Sequence, residues 1–452
     1  MNPARTRYHA RWVIPIASPP IDDGTVVVED DRIVWVGARR DAPAGGADDD
    51  LGDAVLMPGL VNAHTHLELT VMRGFLEGRS FFDWVRTLTR ARREVLDEAA
   101  LLDSSRLGVV EGLRAGITTF ADTGDSAAPF DGLRELGVRG IAYREIFGPS
   151  PTQVADALAG LRAKVDAMRA HETPLVRVGV SPHAPYSVSD ALFGAVAAYA
   201  NAEHLPVAVH IAEGEDESRL VERADGPFAD LLRERGISVE PRAPSPVALL
   251  ERCGVLAVRP LLIHAVRVHA VDIATMARHR CGVAHCPASN RWLSHGIAPL
   301  AELLEAGLDV GLGSDSMASN DRMDIVGEGR LAAQQQRARP GREAAVPASQ
   351  VLELATRGGA CAIGLGHEVG VLAAGYQADL TAFAVDAGAR SAHDMAAVLV
   401  NADLLVARRV VVAGRVRVRD GVVLHDDPSL SARVRERAEA LARWRGGAAV
   451  TP

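Results

Sequence analysis

Eight short apolar runs, separated by longer segments of helical period, fill the middle of this 452-residue chain and leave few folds open to it. The first runs into Met57-Pro58-Gly59-Leu60-Val61-Asn62-Ala63-His64; the others span 116–123, 138–147, 175–183, 205–212, 260–266, 282–286 and 308–314. Helix-period segments intervene at 81–95, 152–170, 190–201, 215–235 and 299–306. Strands alternating with helices build parallel sheets, and eight such units are the count of a (β/α)8 TIM barrel. The expected fold class is therefore α/β.

The two ends have another character. Residues 25–37 alternate across a polar turn as a β-hairpin does, and the pattern returns at 410–424. Strands at both termini are expected to pair into one small β-sandwich domain made of 1–57 plus 367–452, leaving 58–366 as the barrel. Residues 41–52 and 337–346 read as loops, and 429–445, rich in Arg and Glu, as a solvated or docking helix.

A net charge of −9 argues against a nucleic-acid backbone or an anionic membrane surface as partner, since both would be repelled. Arg5, Arg7 and Arg11 precede no apolar stretch of signal-peptide type, and no uncharged apolar run approaches the ~18 residues of a membrane span. Cys253, Cys281, Cys286 and Cys361 form no Cys-x-x-Cys pair, so reduced thiols in a cytoplasm are expected. A small-molecule substrate fits best, and whether the chain forms a homodimer stays open.

Active sites of such barrels lie at the C-terminal ends of the strands. His64 and His66 end the first run, and side chains two residues apart on an extended backbone point the same way. Two converging imidazoles make half of a zinc-type site, although a solvated histidine pair would look the same. Further strand ends carry His183, then His210 with Glu213 three residues on, then His264, and finally Asp315. Five strand ends delivering metal-competent groups to one rim raise the case for a metal centre.

Pro58-Gly59-Leu60-Val61-Asn62-Ala63-His64-Thr65-His66, His210-x-x-Glu213, His264, the Cys286-Pro287-Ala288-Ser289-Asn290 turn and Gly313-Ser314-Asp315-Ser316-x-Ala318-Ser319-Asn320 together resemble the amidohydrolase superfamily, in its branch of nucleobase deaminases and chlorohydrolases. The resemblance covers nearly the whole chain. It implies one divalent metal, usually zinc and sometimes iron, on His64, His66, His210 and Asp315. Three neutral imidazoles and a carboxylate would leave a position for water, whose pKa such an ion lowers towards ~7. Asp315 would take that water's proton, Glu213 would protonate a substrate ring nitrogen, and His264 would hydrogen-bond the attacking water. Lys164, the only lysine, falls in a helical segment, so no carboxylated lysine is expected to bridge two metals.

These parts suit metal-hydroxide attack on a 6-aminopurine nucleoside derivative with loss of ammonia: adenosine, S-adenosylhomocysteine, methylthioadenosine or aminodeoxyfutalosine. A guanine-type deaminase, a chlorohydrolase and a non-catalytic barrel scaffold stay open as alternatives. His183 resembles a purine-contacting position of adenosine-type members. Glu68, directly after the histidine pair, looks like that of aminodeoxyfutalosine deaminases. Trp84 is a candidate for the ribose or base. Arg144 is expected either to hold a substrate carboxylate or to pair with Glu145.

Overall fold

A computed structural model describes residues 5–342, 346–424 and 426–448. Five strands come first: β1 (Arg5–Val13), β2 (Ile21–Glu29), β3 (Arg32–Ala38), β4 (Ala47–Asp50) and β5 (Ala54–Pro58). β2 and β3 form the expected antiparallel hairpin. β4 corrects the reading of 41–52 as loop, since it pairs in parallel with β1. Its sequence, Ala-Asp-Asp-Asp, carries no strand propensity. It is held instead by side-chain contacts: Arg7 and the hydrogen-bonded His9 each lie 2.8 Å from Asp48, and Arg409 2.9 Å from Asp49.

Eight parallel strands follow: β6 (Leu60–Thr65), β7 (Ile117–Gly124), β8 (Arg139–Ile146), β9 (Val176–Pro182), β10 (Ala208–Ile211), β11 (Leu261–His264), β12 (Gly282–His285) and β13 (Asp309–Leu312). Their ladders form two four-stranded halves, β6 to β9 and β10 to β13. Single bridges join the halves, Val180 to Val207 at one seam and Thr65 to Asp315 at the other. The interior is packed by small and branched side chains, among them Val61, Ala63, Ala121, Ile141, Ala208 and Ile263. Intervening helices cover the outside. The 215–235 segment is two helices, Glu215–Arg223 and Pro227–Glu234, rather than one. Gly226 between them has φ +88°, a conformation side chains rarely adopt, and Pro227 has no N–H to continue the first helix.

The chain then returns to the terminal sheet as β14 (Leu380–Ala384), β15 (Ala407–Val412), β16 (Arg415–Arg419) and β17 (Val422–Val423). All nine terminal strands share one hydrogen-bonded network, ordered β17-β16-β15-β14-β5-β1-β2-β3 with β4 on β1. The sheet curls on itself: Ile33 of β3 donates to the Tyr376 carbonyl at 2.9 Å, just before β14. Tyr8, Val26, Ile33, Leu56, Leu380 and Val411 fill the core so enclosed. The last helix, Leu430–Ala448, docks on Glu98–Arg114 through Arg433 and Asp103, 2.7 Å apart. Of the 337–346 stretch, Arg337 ends a helix and 343–345 lie outside the described residues. Among the described residues no helix is long and apolar enough to cross a membrane.

Barrel and sheet are tied by one buried ion pair. Arg139, at the start of β8, reaches both oxygens of Asp379 at 2.8 and 3.1 Å and Gln377 at 3.0 Å. Removing one partner of a buried pair strands the other's charge. Asp379→Ala is expected to cost about 3–5 kcal/mol of stability by urea unfolding; a loss below about 1 kcal/mol, the scale of a surface pair, would contradict this role.

Candidate metal centre

The two barrel seams carry most of the site. At one, the Asp315 N–H donates to the His64 carbonyl at 3.0 Å; at the other, the His210 N–H donates to the His183 carbonyl at 2.9 Å. Gly313 allows the first approach, because a Cβ there would lie 2.9 Å from that of His64 and 2.8 Å from Cys286 Sγ. Above the barrel core the rings of His64 and His66 lie 4.8 Å apart between centroids, His64 and His210 4.9 Å, and His210 and His264 5.6 Å. Asp315 Oδ1 stands 3.3 Å from His64 Nε2 and 3.6 Å from His66 Nε2. His66 Nε2 faces His210 Nε2 at 3.3 Å. The backbone is strained here: Ala212, His264, Ala265 and Asp315 all have positive φ.

Glu213 lies on the same side, its Oε1 3.5 Å from His264 Nε2 and 3.3 Å from His295 Nε2. The structure therefore brings together His64, His66, His210, His264, Asp315 and Glu213. His183 stands beside them, 4.9 Å from His210 between ring centroids, with its Nδ1 2.7 Å from Ser187 Oγ.

A family model described as "Amidohydrolase family" matches residues 55–417, from the last strand before the barrel to β16. The chain belongs to the amidohydrolase family. A 5-methylthioadenosine/S-adenosylhomocysteine deaminase of Moorella thermoacetica is 33% identical over 421 residues, covering 91% of this chain and 93% of that protein. Among solved structures, an adenosine deaminase from Xanthomonas campestris with bound zinc is 27% identical with a TM-score of 0.86, covering 98% of this chain and 99% of that one. An atrazine chlorohydrolase from Arthrobacter aurescens complexed with zinc is 26% identical with a TM-score of 0.81, over 96% of this chain and 99% of the other.

The residues of this amidohydrolase fit a divalent cation. Neither ring nitrogen of the fully buried His64 has a hydrogen-bond partner, and His264 Nε2 lacks one too. Burial pushes His64, His66, His210 and His264 below the ordinary histidine value, towards the neutral form that ligates metal. Burial opposes ionisation of Asp315, but the approach of His64 Nε2 to 3.3 Å and the neighbouring imidazoles outweigh it and hold the carboxyl well below its usual range. Asp315 also accepts from Ser289 Oγ at 2.5 Å and from the Ser316 N–H at 2.7 Å. Neutral imidazoles with one carboxylate are a zinc-type donor set.

The supporting residues were not legible beforehand. Asn290 Oδ1 accepts at 2.9 Å from His264 Nδ1, which fixes that ring's tautomer and direction. Glu328 holds the Ala288 N–H and the Asn320 side chain, at 2.9 and 2.6 Å, tying the loops after β12 and β13 together. Glu217 accepts the N–H groups of Ala212 and Glu213, both at 2.8 Å, and so shapes the turn that carries Glu213. Only the Cys286–Asn290 and Gly313–Asn320 motifs gave a signal for any of them; His295, Glu217 and Glu328 lie outside these motifs.

Other candidates are placed differently. Both oxygens of the buried Glu68 are engaged, one by Arg92 at 2.9 Å and the other by Ser126. Trp84 donates its indole N–H to the Ala318 carbonyl at 3.2 Å and stacks near Phe81, bracing the loop that follows Asp315. Arg144 forms no ion pair with Glu145 among the described residues, and its Nε and Nη1 are buried without partners. Lys164 lies in the helix Val154–Arg169, away from any strand end.

Burial raises the Glu217 carboxyl to about 8, from an ordinary 4.5. The native chain then holds one more proton than the unfolded chain between those values. Stability is expected to fall as pH rises through that window. Glu217→Gln should flatten the decline, read from urea midpoints between about pH 5 and pH 8; an unchanged slope would contradict it.

Proposed function

We propose that this amidohydrolase is a metal-dependent aminohydrolase, replacing the 6-amino group of an adenosine-type nucleoside by oxygen and releasing ammonia. The observation that carries the reading is the pairing of two carboxylates across one histidine cluster: Asp315 at 3.3 Å from His64 and Glu213 at 3.5 Å from His264. The deaminase relatives at 33% identity support methylthioadenosine and S-adenosylhomocysteine as the first substrates to try.

His64, His66, His210 and Asp315 would hold one divalent ion, with zinc favoured by the zinc-bound neighbours. When bound, such an ion supplies Lewis acidity and a water acidified towards neutral pH. His264, its ring fixed by Asn290, orients the water at C6. Asp315 takes the proton that the water loses on addition and passes it to the departing amine. Glu213 donates to the ring nitrogen, which makes C6 electrophilic. In the free chain burial raises the Glu213 carboxyl, but the rings of His264 and His295, 3.5 and 3.3 Å away, hold it lower than usual. A purine covering it would desolvate it further and favour the protonated donor. Collapse of the adduct breaks the C–N bond, and the proton left on the new C6 oxygen returns to Glu213, leaving a 6-oxopurine and ammonia.

His183 faces the purine, its proton affinity pushed down to about 3 by burial, which keeps it a neutral hydrogen-bonding group. Arg144, with Nε and Nη1 buried without partners, is the candidate for a substrate carboxylate. All four cysteines are free thiols, which supports a reducing cytoplasm.

Zinc-loaded protein should convert at least one of adenosine, methylthioadenosine, S-adenosylhomocysteine and aminodeoxyfutalosine to its hypoxanthine analogue, with one ammonia per turnover. No ammonia from any of them, with chloride release from a chlorotriazine or deamination of free guanine, would overturn the reading.

A further inference from the structure

Glu145 is an acidic side chain at the centre that has no part in the proposed reaction and, unlike Glu217 and Glu328, accepts no backbone N–H among the described residues. It is the penultimate residue of β8. Tyr143, two residues earlier on the same face, packs in the barrel core with Ile141, Ala208 and Ile263. Glu145 therefore rises from the core into the space above it. A carboxylate oxygen of Glu145 and ring nitrogens of His183 and His210 lie within 4.8 Å of one another. Glu145 is 9% exposed, and its Oε1 is buried with no hydrogen-bond partner. A buried acceptor without a donor is costly, and a ligand that brings the donor removes the cost.

Two kinds of ligand could complete this corner. A cation would need a nitrogen of His210, but both are committed: Nε2 faces His66 Nε2 and Nδ1 faces the His183 carbonyl, each at 3.3 Å. That leaves Glu145 beside His183, whose Nδ1 is taken by Ser187. A buried carboxyl next to one free imidazole nitrogen makes a poor metal site and a good site for hydroxyl groups. If the amino-bearing edge of the purine lies at the histidine cluster and the far edge at His183, the sugar follows on the side where Glu145 stands.

We infer that Glu145 is a specificity-determining residue that accepts hydrogen bonds from the ribose hydroxyls of the substrate, selecting ribonucleosides over deoxyribonucleosides. The inference rests on the aminohydrolase reading. It is tested by comparing zinc-loaded wild-type, Glu145→Ala and Glu145→Gln proteins on adenosine, 2′-deoxyadenosine and 3′-deoxyadenosine, with metal content measured in parallel. Leaving the ribose donors without their buried acceptor predicts that Glu145→Ala lowers kcat/KM for adenosine by about 10- to 100-fold. At least one deoxynucleoside should change by less than about threefold, so that its ratio to adenosine collapses towards one. Glu145→Gln keeps the volume and one acceptor and should fall between. Ratios between sugars cancel any loss of folded protein. Equal losses on all three sugars would overturn the inference, as would loss of the metal in either variant, which would make Glu145 a ligand. Wild-type protein inactive on every nucleoside would instead overturn the aminohydrolase reading beneath it.

Discussion

Asp315→Asn should lower kcat by about 10³-fold or more while leaving the fold intact. Removal of a positioned base alone is worth about 10²–10⁴-fold, and this carboxylate is also proposed as a metal ligand. Asparagine has the same shape and keeps an oxygen for the Ser316 N–H, which lies 2.7 Å away, while its amide can donate to Ser289. What disappears is the negative charge beside His64 and His66 and the place for a proton. Far-UV circular dichroism and the urea midpoint should stay close to wild type. Retention of more than a tenth of wild-type kcat would remove Asp315 from the proton path.

Glu213→Gln should cost about 10²–10⁴-fold in kcat, the range for loss of a general acid. Its signature differs from that of Asp315→Asn, because Glu213 belongs to the proposed acid and not to the metal set. Metal content should remain that of wild type. KM should change little beside kcat, since the lost interaction is strongest once the ring nitrogen is being protonated. A large loss of bound metal in Glu213→Gln would contradict the division of labour between the two carboxylates.

The barrel was legible because parallel strands buried on both faces read as continuous apolar runs, and each of the eight runs became a strand within a few residues. The histidines at strand ends were legible for a related reason: a polar residue closing an apolar run stands out. β4 was not, because ion pairs from Arg7 and Arg409 and a hydrogen bond with His9 hold together a strand whose own residues avoid strands. Glu213 could be found by its fixed offset from His210, while Glu217 looked like one more member of a solvated acidic run. Its burial follows from the sharp turn at Ala212, φ +49°, which no local pattern announces. Arg144 and Glu145 show the same limit. Adjacent opposite charges at a strand end suggest a pair, but among the described residues no ion pair joins them, and Arg144 Nε and Nη1 and Glu145 Oε1 are each buried without a partner.

The arrangement of His64, His66, His210 and Asp315 as one metal centre is the claim on which the rest depends, and elemental analysis tests it most directly. Purified protein, dialysed after loading with zinc, should carry one divalent ion per chain, and His210→Ala should retain only a small fraction of it while staying folded. Active wild-type protein with no bound divalent ion, or a folded His210→Ala variant with full metal content, would contradict the account.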